Sequence, residues 1–297
     1  MRAVAARSRG VAGMTTLAPV TTYPLRLAAP LGLFMALFFV APLAMLSFVS
    51  GYADNGLTQW GSLQAWAKMF DAFGLGVLAD TLWLGLQVTA LTLVLGYALA
   101  WTWLRMPPAL QPIVIFIVML PLLTSVVVRT FAWIVILGRQ GIVNSALQSM
   151  GWIETPIKLL YTRTGLVVAL ANVQLPLMVL PLITALQRID PNLADASASL
   201  GAGAWRTFSR VTVPLSLPGV VAGCLLTFAA SITAFISQSL IGGGQMLFMP
   251  MYLYQQASSL SNYPFAAAIG LTFLVAVLLC VAAFNALGRL SRGYAAG

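Results

Sequence analysis

An all-α polytopic membrane protein with six transmembrane helices and one structured polar loop is expected from three observations. Of the 297 residues, 60% are hydrophobic and only 7% charged. Six segments, 26–49, 79–103, 112–137, 165–186, 215–240 and 264–287, are each long and apolar enough to cross a bilayer, which takes about 20 apolar residues for roughly 30 Å of hydrocarbon. A polar interruption, 190–214, separates the fourth from the fifth. The expected organisation is a cytoplasmic segment 1–25, a membrane domain 26–289 containing the loop, and a cytoplasmic tail 290–297.

The first span follows three early arginines, Arg2, Arg7 and Arg9, as a secretory signal would. Its apolar stretch outruns the roughly 7–15-residue core of a cleavable signal, so it reads as an uncleaved span. Basic residues orient the rest. With the amino terminus inside, the inner segments hold Arg2, Arg7, Arg9, Arg26, Arg105, Arg188, Arg206, Arg210, Arg289 and Arg292, and the outer ones only Lys68, Arg139, Lys158 and Arg163. That asymmetry places both termini in the cytoplasm.

The outer segment 50–78 carries Trp60, Leu63, Trp66, Ala67 and Phe70 at helical spacing, suited to an interfacial helix. Asp80 is placed to cap the second span. The outer segment 138–162 repeats the interfacial pattern with Val143, Leu147 and Met150. Pro121, Pro176 and Pro181 remove backbone donors within the third and fourth spans and permit kinks. In the fifth, Gly219 and Gly223 form a small-xxx-small pair for helix packing.

The loop begins with Asp190-Pro191, an N-cap carboxylate followed by a residue whose fixed φ suits a first helical turn. Leu193, Ala196 or Ser197, and Leu200 then share one helical face, and Gly201 and Gly203 end the helix. A second short helix is expected to carry Trp205, Phe208 and Val211 on one side and Arg206 and Arg210 on the other, with Pro214 and Pro218 at the entry to the fifth span. Trp205 and Phe208 could anchor a partner, and the two arginines could instead face lipid phosphates.

Several functions are disfavoured. The net charge of +9 comes from scattered residues without a run that would form a nucleic-acid patch. Cys224 and Cys280 lie in apolar runs, where thiols pack as small apolar groups. There is no His, no Cys cluster and no carboxylate pair, since Asp54, Asp71, Asp80 and Glu154 are dispersed, so neither a metal site nor a catalytic one is expected. No G-x-x-x-x-G-K-[ST] phosphate loop is present; Gly242–Gly244 lacks the lysine. Polar residues within spans are expensive unless they line the bundle interior or a wet cavity. The candidates for a path are Arg129, Asn172, Gln174, Ser231, Thr233, Ser237 and Gln238.

The loop resembles the hallmark of inner-membrane permease subunits of bacterial ABC importers, Glu-Ala-Ala, three residues, Gly, nine residues, Ile-x-Leu-Pro. Asp195, Ala196, Ser197, Gly201, Val211, Val213 and Pro214 stand at that spacing, with glycine and proline intact. Over roughly 129–265 the chain is also similar to the spermidine/putrescine branch, through Arg129-Thr130-Phe131-Ala132-Trp133, Leu159-Leu160-Tyr161, Arg188-Ile189-Asp190-Pro191, Phe235-Ile236-Ser237, Gly242-Gly243-Gly244 and Tyr254-Gln255-Gln256. The resemblance implies a type I ABC importer permease of the inner membrane. Its partners would be a second permease subunit, a dimer of ATP-binding subunits that hold ATP and Mg, an external solute-binding protein and the surrounding lipid. The implied solute is a polyamine or a similar small polar molecule. An anionic or zwitterionic solute, or transport driven by an ion gradient, are the alternatives.

Overall fold

The computed structural model describes residues 25–53 and 59–293. Expectations for Arg2, Arg7, Arg9, Asp54 and residues 294–297 lie outside them. The described residues are helical, apart from loops and one isolated antiparallel bridge between Tyr52 and Trp60.

The first span is divided between two compact units, the first ending at Met45. In it α1 (Leu25–Met35) passes through a π turn, Ala36–Val40, into α2 (Ala41–Val49). The turn is explained by Pro42, which has no N–H to give. The amide of Ala41 reaches back five residues to the Ala36 carbonyl, and the wider turn makes room for the proline ring.

In the second unit, which begins at Leu46 within α2, a short helix, α3 (Gln64–Met69), and the long α4 (Ala72–Trp103) follow. The helix starts a full two turns before the expected second span, and its cap is Asp71, which accepts the Ala72 amide at 2.7 Å. Asp80 therefore does not cap it. The expected third span, 112–137, is two helices, α5 (Gln111–Leu123) and α6 (Val126–Leu137), broken at Thr124–Ser125. Pro121 lies near the end of α5, where it cannot extend regular bonding. By length and hydropathy the third crossing candidate is instead Val126–Ser149, which runs on into α7 (Ile142–Ser149). The other crossing candidates, Ala29–Val49, Ala72–Trp103, Arg163–Gln187, Ala204–Ile232 and Tyr263–Ala286, overlap the expected spans.

α8 (Arg163–Gln187) runs through both Pro176 and Pro181 without a break. After the loop helix α9 (Asn192–Ser199), the expected second short helix is not separate. α10 (Ala204–Thr207) continues through a π turn, Phe208–Thr212, into α11 (Val213–Ile232). The cause matches the first span: Val213 reaches back to the Phe208 carbonyl immediately before Pro214. The expected fifth span, 215–240, then breaks at Thr233–Ala234, and α12 (Phe235–Gly242) follows. α13 (Met249–Tyr254) and α14 (Tyr263–Gly293) complete the chain.

The core is the three-way packing of α4, α8 and α11. Leu84 and Val88 meet Leu166 and Leu170 at one end, and Ala100 and Trp103 meet Met178, Leu182 and Cys224 at the other. Lipid supplies no hydrophobic drive between helices, so close backbone approach matters most. Gly219 and Gly223 provide it as expected: an added Cβ would lie 2.5 Å from the Ala185 Cβ and 2.6 Å from the Met178 sulfur, respectively. A satellite cluster packs Met69, Met249, Tyr252 and Ile269. There burial, with Asp71 nearby, pushes the Tyr252 phenol above its ordinary range.

Candidate functional site

The loop 190–214 is built by local signals. Asp190 accepts the Asn192 amide at 2.9 Å while Pro191 already has helical φ and ψ, so the cap and first turn are as expected. At the other end Ala202 donates to the Ser197 carbonyl at 3.1 Å and Gly201 to Ala198 at 2.9 Å. These are the two bonds of a Schellman ending, which requires a left-handed residue, and Gly201 has φ +79°. Ser197 Oγ then lies 2.9 Å from Thr207 Oγ1, tying α9 to α10 across the turn.

The surface of this knob is apolar where a folded loop should be polar. Leu193 is exposed, Leu200 is 89% exposed and Trp205 78% exposed. Asp195 and Ala196 are exposed beside them, while Ser197, Val211, Val213 and Pro214 are half-buried. Phe208 departs from expectation. Its ring turns inward, 4.9 Å from that of Trp101 and 5.7 Å from that of Tyr97, both on α4. It is no free anchor, and Trp205 alone of the pair stands out from the knob.

The path candidates fall into three groups. Arg129, Gln174, Thr233 and Ser237 line one crevice of about 370 Å3, between the α5–α6 break and the α11–α12 break. Both breaks are held by side chains. Arg129 Nη1 donates to the Pro121 carbonyl, which also accepts from Thr124 Oγ1 at 3.1 Å. Gln238 Nε2 donates to the carbonyls of Ser231 at 2.8 Å and Ile232 at 3.2 Å, closing the end of α11. Ser231 and Gln238 are thus core groups that shape the crevice wall without being among its lining residues. Asn172 is exposed and lies outside the crevice.

Within the crevice Gln174 is 6% exposed, and Arg129 Nε is buried without a partner. Thr130 Oγ1 lies 3.3 Å from Ser237 Oγ and 2.7 Å from the Val126 carbonyl, a link the sequence reading missed although Thr130 adjoins Arg129. Among the described residues no carboxylate lines the crevice. A larger groove of about 530 Å3 runs along α8 and α11 past Leu177, Pro181, Pro218 and Leu226, but apart from Thr184 and Arg188 it is apolar. It offers little to a polar solute.

Two of the separated motifs also meet. The Tyr161 amide donates to the Ile241 carbonyl at 3.2 Å, and a side chain at Gly243 would overlap the Tyr161 ring. Binding-protein-dependent transport system inner membrane components match over residues 92–293. The chain belongs to this family. As a permease of this kind it is a multi-pass inner-membrane transport subunit and not an enzyme, with ATP hydrolysis carried out by a separate ATPase. Membership removes the ion-gradient alternative.

Among similar permeases, the spermidine/putrescine transport system permease protein PotB of Salmonella typhimurium is 31% identical over 77% of this chain and 80% of its own. The molybdenum transport system permease protein ModB of Escherichia coli is 34% identical over 54% of this chain and 71% of its own. A bacterial ABC transporter involved in import of the acidic polysaccharide alginate superposes with a TM-score of 0.71 at 18% identity, covering 89% of this chain and 94% of that one. That likeness concerns the fold alone.

Proposed function

We propose that this permease forms, with a second permease subunit, the translocation path of an ATP-driven importer for polyamines or a similar small polar organic solute. The observation that carries this reading is the exposed apolar knob of Leu193, Leu200 and Trp205 on a loop capped at both ends of α9, between the fourth and fifth spans. A dimeric ATPase that binds ATP and Mg would dock on Asp195, Ala196, Ser197, Gly201 and Trp205, with Val211, Val213 and Pro214 holding the knob to α11. The basic residues of the inner segments support a cytoplasmic loop and cytoplasmic termini. An external solute-binding protein would deliver cargo to the opposite face.

The solute would pass the crevice of Arg129, Gln174, Thr233 and Ser237. Similarity to PotB supports a polyamine. A second reading, an anionic or zwitterionic solute, is favoured by the crevice itself, which presents a guanidinium and no carboxylate. The test is uptake into proteoliposomes carrying the complete transporter, with labelled spermidine, putrescine and a zwitterionic amino acid as probes. ATP-dependent accumulation of either polyamine supports the first reading and of the amino acid the second. Accumulation that persists without the ATPase subunit overturns both.

A further inference from the structure

The inward turn of Phe208 joins the loop to a helix far away in sequence. Phe208 opens the π turn between α10 and α11. On one side its ring lies 5.6 Å from that of Trp205, the exposed residue of the knob. On the other it meets Trp101 at 4.9 Å and 71°, and Tyr97 at 5.7 Å and 85°, both edge-on contacts of the favourable kind. Tyr97 and Trp101 are one helical turn apart on α4, so Phe208 is gripped by two successive rungs of that helix.

Each rung is itself fixed. The Tyr97 hydroxyl lies 3.0 Å from Ser216 Oγ, a fully buried group on α11 that also donates to the Val213 carbonyl at 2.9 Å. The Arg105 guanidinium sits 3.7 Å over the Trp101 ring, and its Nη1 donates to the Trp101 carbonyl at 3.4 Å. The ring system therefore spans the loop, α4 and the start of α11. Its members are stiff, since aromatic side chains have two torsions and these are held at both faces.

We propose that Phe208 is a positioning residue for ATP-coupled transport: it locks the loop to α4 through Tyr97 and Trp101, so that displacement of the loop carries α4 along with α11. α11 is bonded to the loop through the continuous helix and would follow in any case. α4 has no such covalent link: it packs on α11 in the core, and the rings tie it to the loop itself. The inference rests on the loop being the ATPase-docking element proposed above.

The test uses the complete transporter in nanodiscs, with Cys224 and Cys280 replaced and spin labels on Thr102 of α4 and Ala198 of α9, both exposed. The distance between labels is measured without nucleotide and after trapping with ATP, Mg and vanadate. One narrow distance, the same in both states, is expected for the native ring. Phe208→Leu, which keeps apolar volume but removes the aromatic edge contacts, should lose that single distance on trapping, and Phe208→Tyr should restore it. Trp101→Leu repeats the test from the other helix should the first variant fail to fold. A native distance that changes on trapping, or leucine variants as narrow as the native protein, overturns the proposal. If no ATPase subunit assembles with the native chain, the docking reading falls first and takes this inference with it.

Discussion

Arg163, in the first turn of α8, is fully engaged by α4: Nη1 lies 2.9 Å from Asp80 Oδ1, Nη2 donates to the Asp80 carbonyl at 3.0 Å, and Nε donates to Gln87 Oε1 at 2.9 Å. The two charged side chains are 33% and 59% exposed, so water screens the ionic part of the contact. Asp80→Asn should therefore lower stability by less than about 1 kcal/mol. Arg163→Ala, which abandons all three acceptors, should cost more. Thermal unfolding of the two variants in detergent checks the order; equal losses would contradict it.

Arg129 carries a different prediction, because its half-buried guanidinium bridges a broken helix. A hydrogen bond to a charged group contributes about 1.5–3 kcal/mol. Arg129→Gln should lose stability on that scale and should depress uptake of every solute alike, since what fails is the join between α5 and α6. Arg129→Lys keeps the charge without the planar fork and should recover only part. A change of solute preference in the glutamine variant, at native stability, would instead make Arg129 a recognition group.

Two glycines should respond in opposite ways from a third. Gly223→Val forces a side chain against the Met178 sulfur and carbonyl and should destabilise the α8–α11 contact by about 1–3 kcal/mol. Gly76, inside α4 with nothing within 4 Å, should tolerate alanine or gain roughly 0.4–1 kcal/mol from it. Gly201 also has open space around it, yet its φ of +79° makes Gly201→Val strained. That variant should lose ATPase co-purification through backbone geometry and not through crowding, and Gly201→Asn should be milder.

Trp205 and Phe208 can be separated by where each loss appears. Trp205→Ala removes a side chain that is 78% exposed, so the isolated chain should unfold at the native temperature. Its affinity for the ATPase subunit should fall by about 2 kcal/mol or more, the scale of an interface anchor. Phe208→Ala should lower the unfolding temperature of the isolated chain, because its ring is held by α4. Calorimetry on the isolated chain and binding to immobilised ATPase distinguish the two.

What could be read from the chain was whatever is written locally. Asp190-Pro191 at the start of α9 and Gly201 at its end are backbone signals, and the structure bears out both. Hydropathy located the crossings but not the breaks within them. A window of apolar residues sums over Thr124–Ser125 and over Thr233–Ala234 alike, whereas each break is held by a particular donor, Arg129 on Pro121 and Gln238 on Ser231. Asp80 reads as the cap in the sequence for a related reason: the segment before it is apolar enough to lie outside or inside a span, and Asp71 is where the helix begins. Phe208 was legible as a large apolar residue of the loop. Its direction was not, because the rings that receive it stand on another helix.

The wide turn before Pro214 has a geometric consequence. Because it lets helix persist from Ala204 to Ile232, the 29 residues act as one rod, about 43 Å long at 1.5 Å per residue. One tip is the knob and the other abuts the crevice of Arg129 and Thr233. Pivoted near its middle, such a rod converts a tilt of a few degrees into about 2 Å of travel at each tip, in opposite senses. A proline that elsewhere would snap the shaft is here set in a joint wide enough to leave the lever whole.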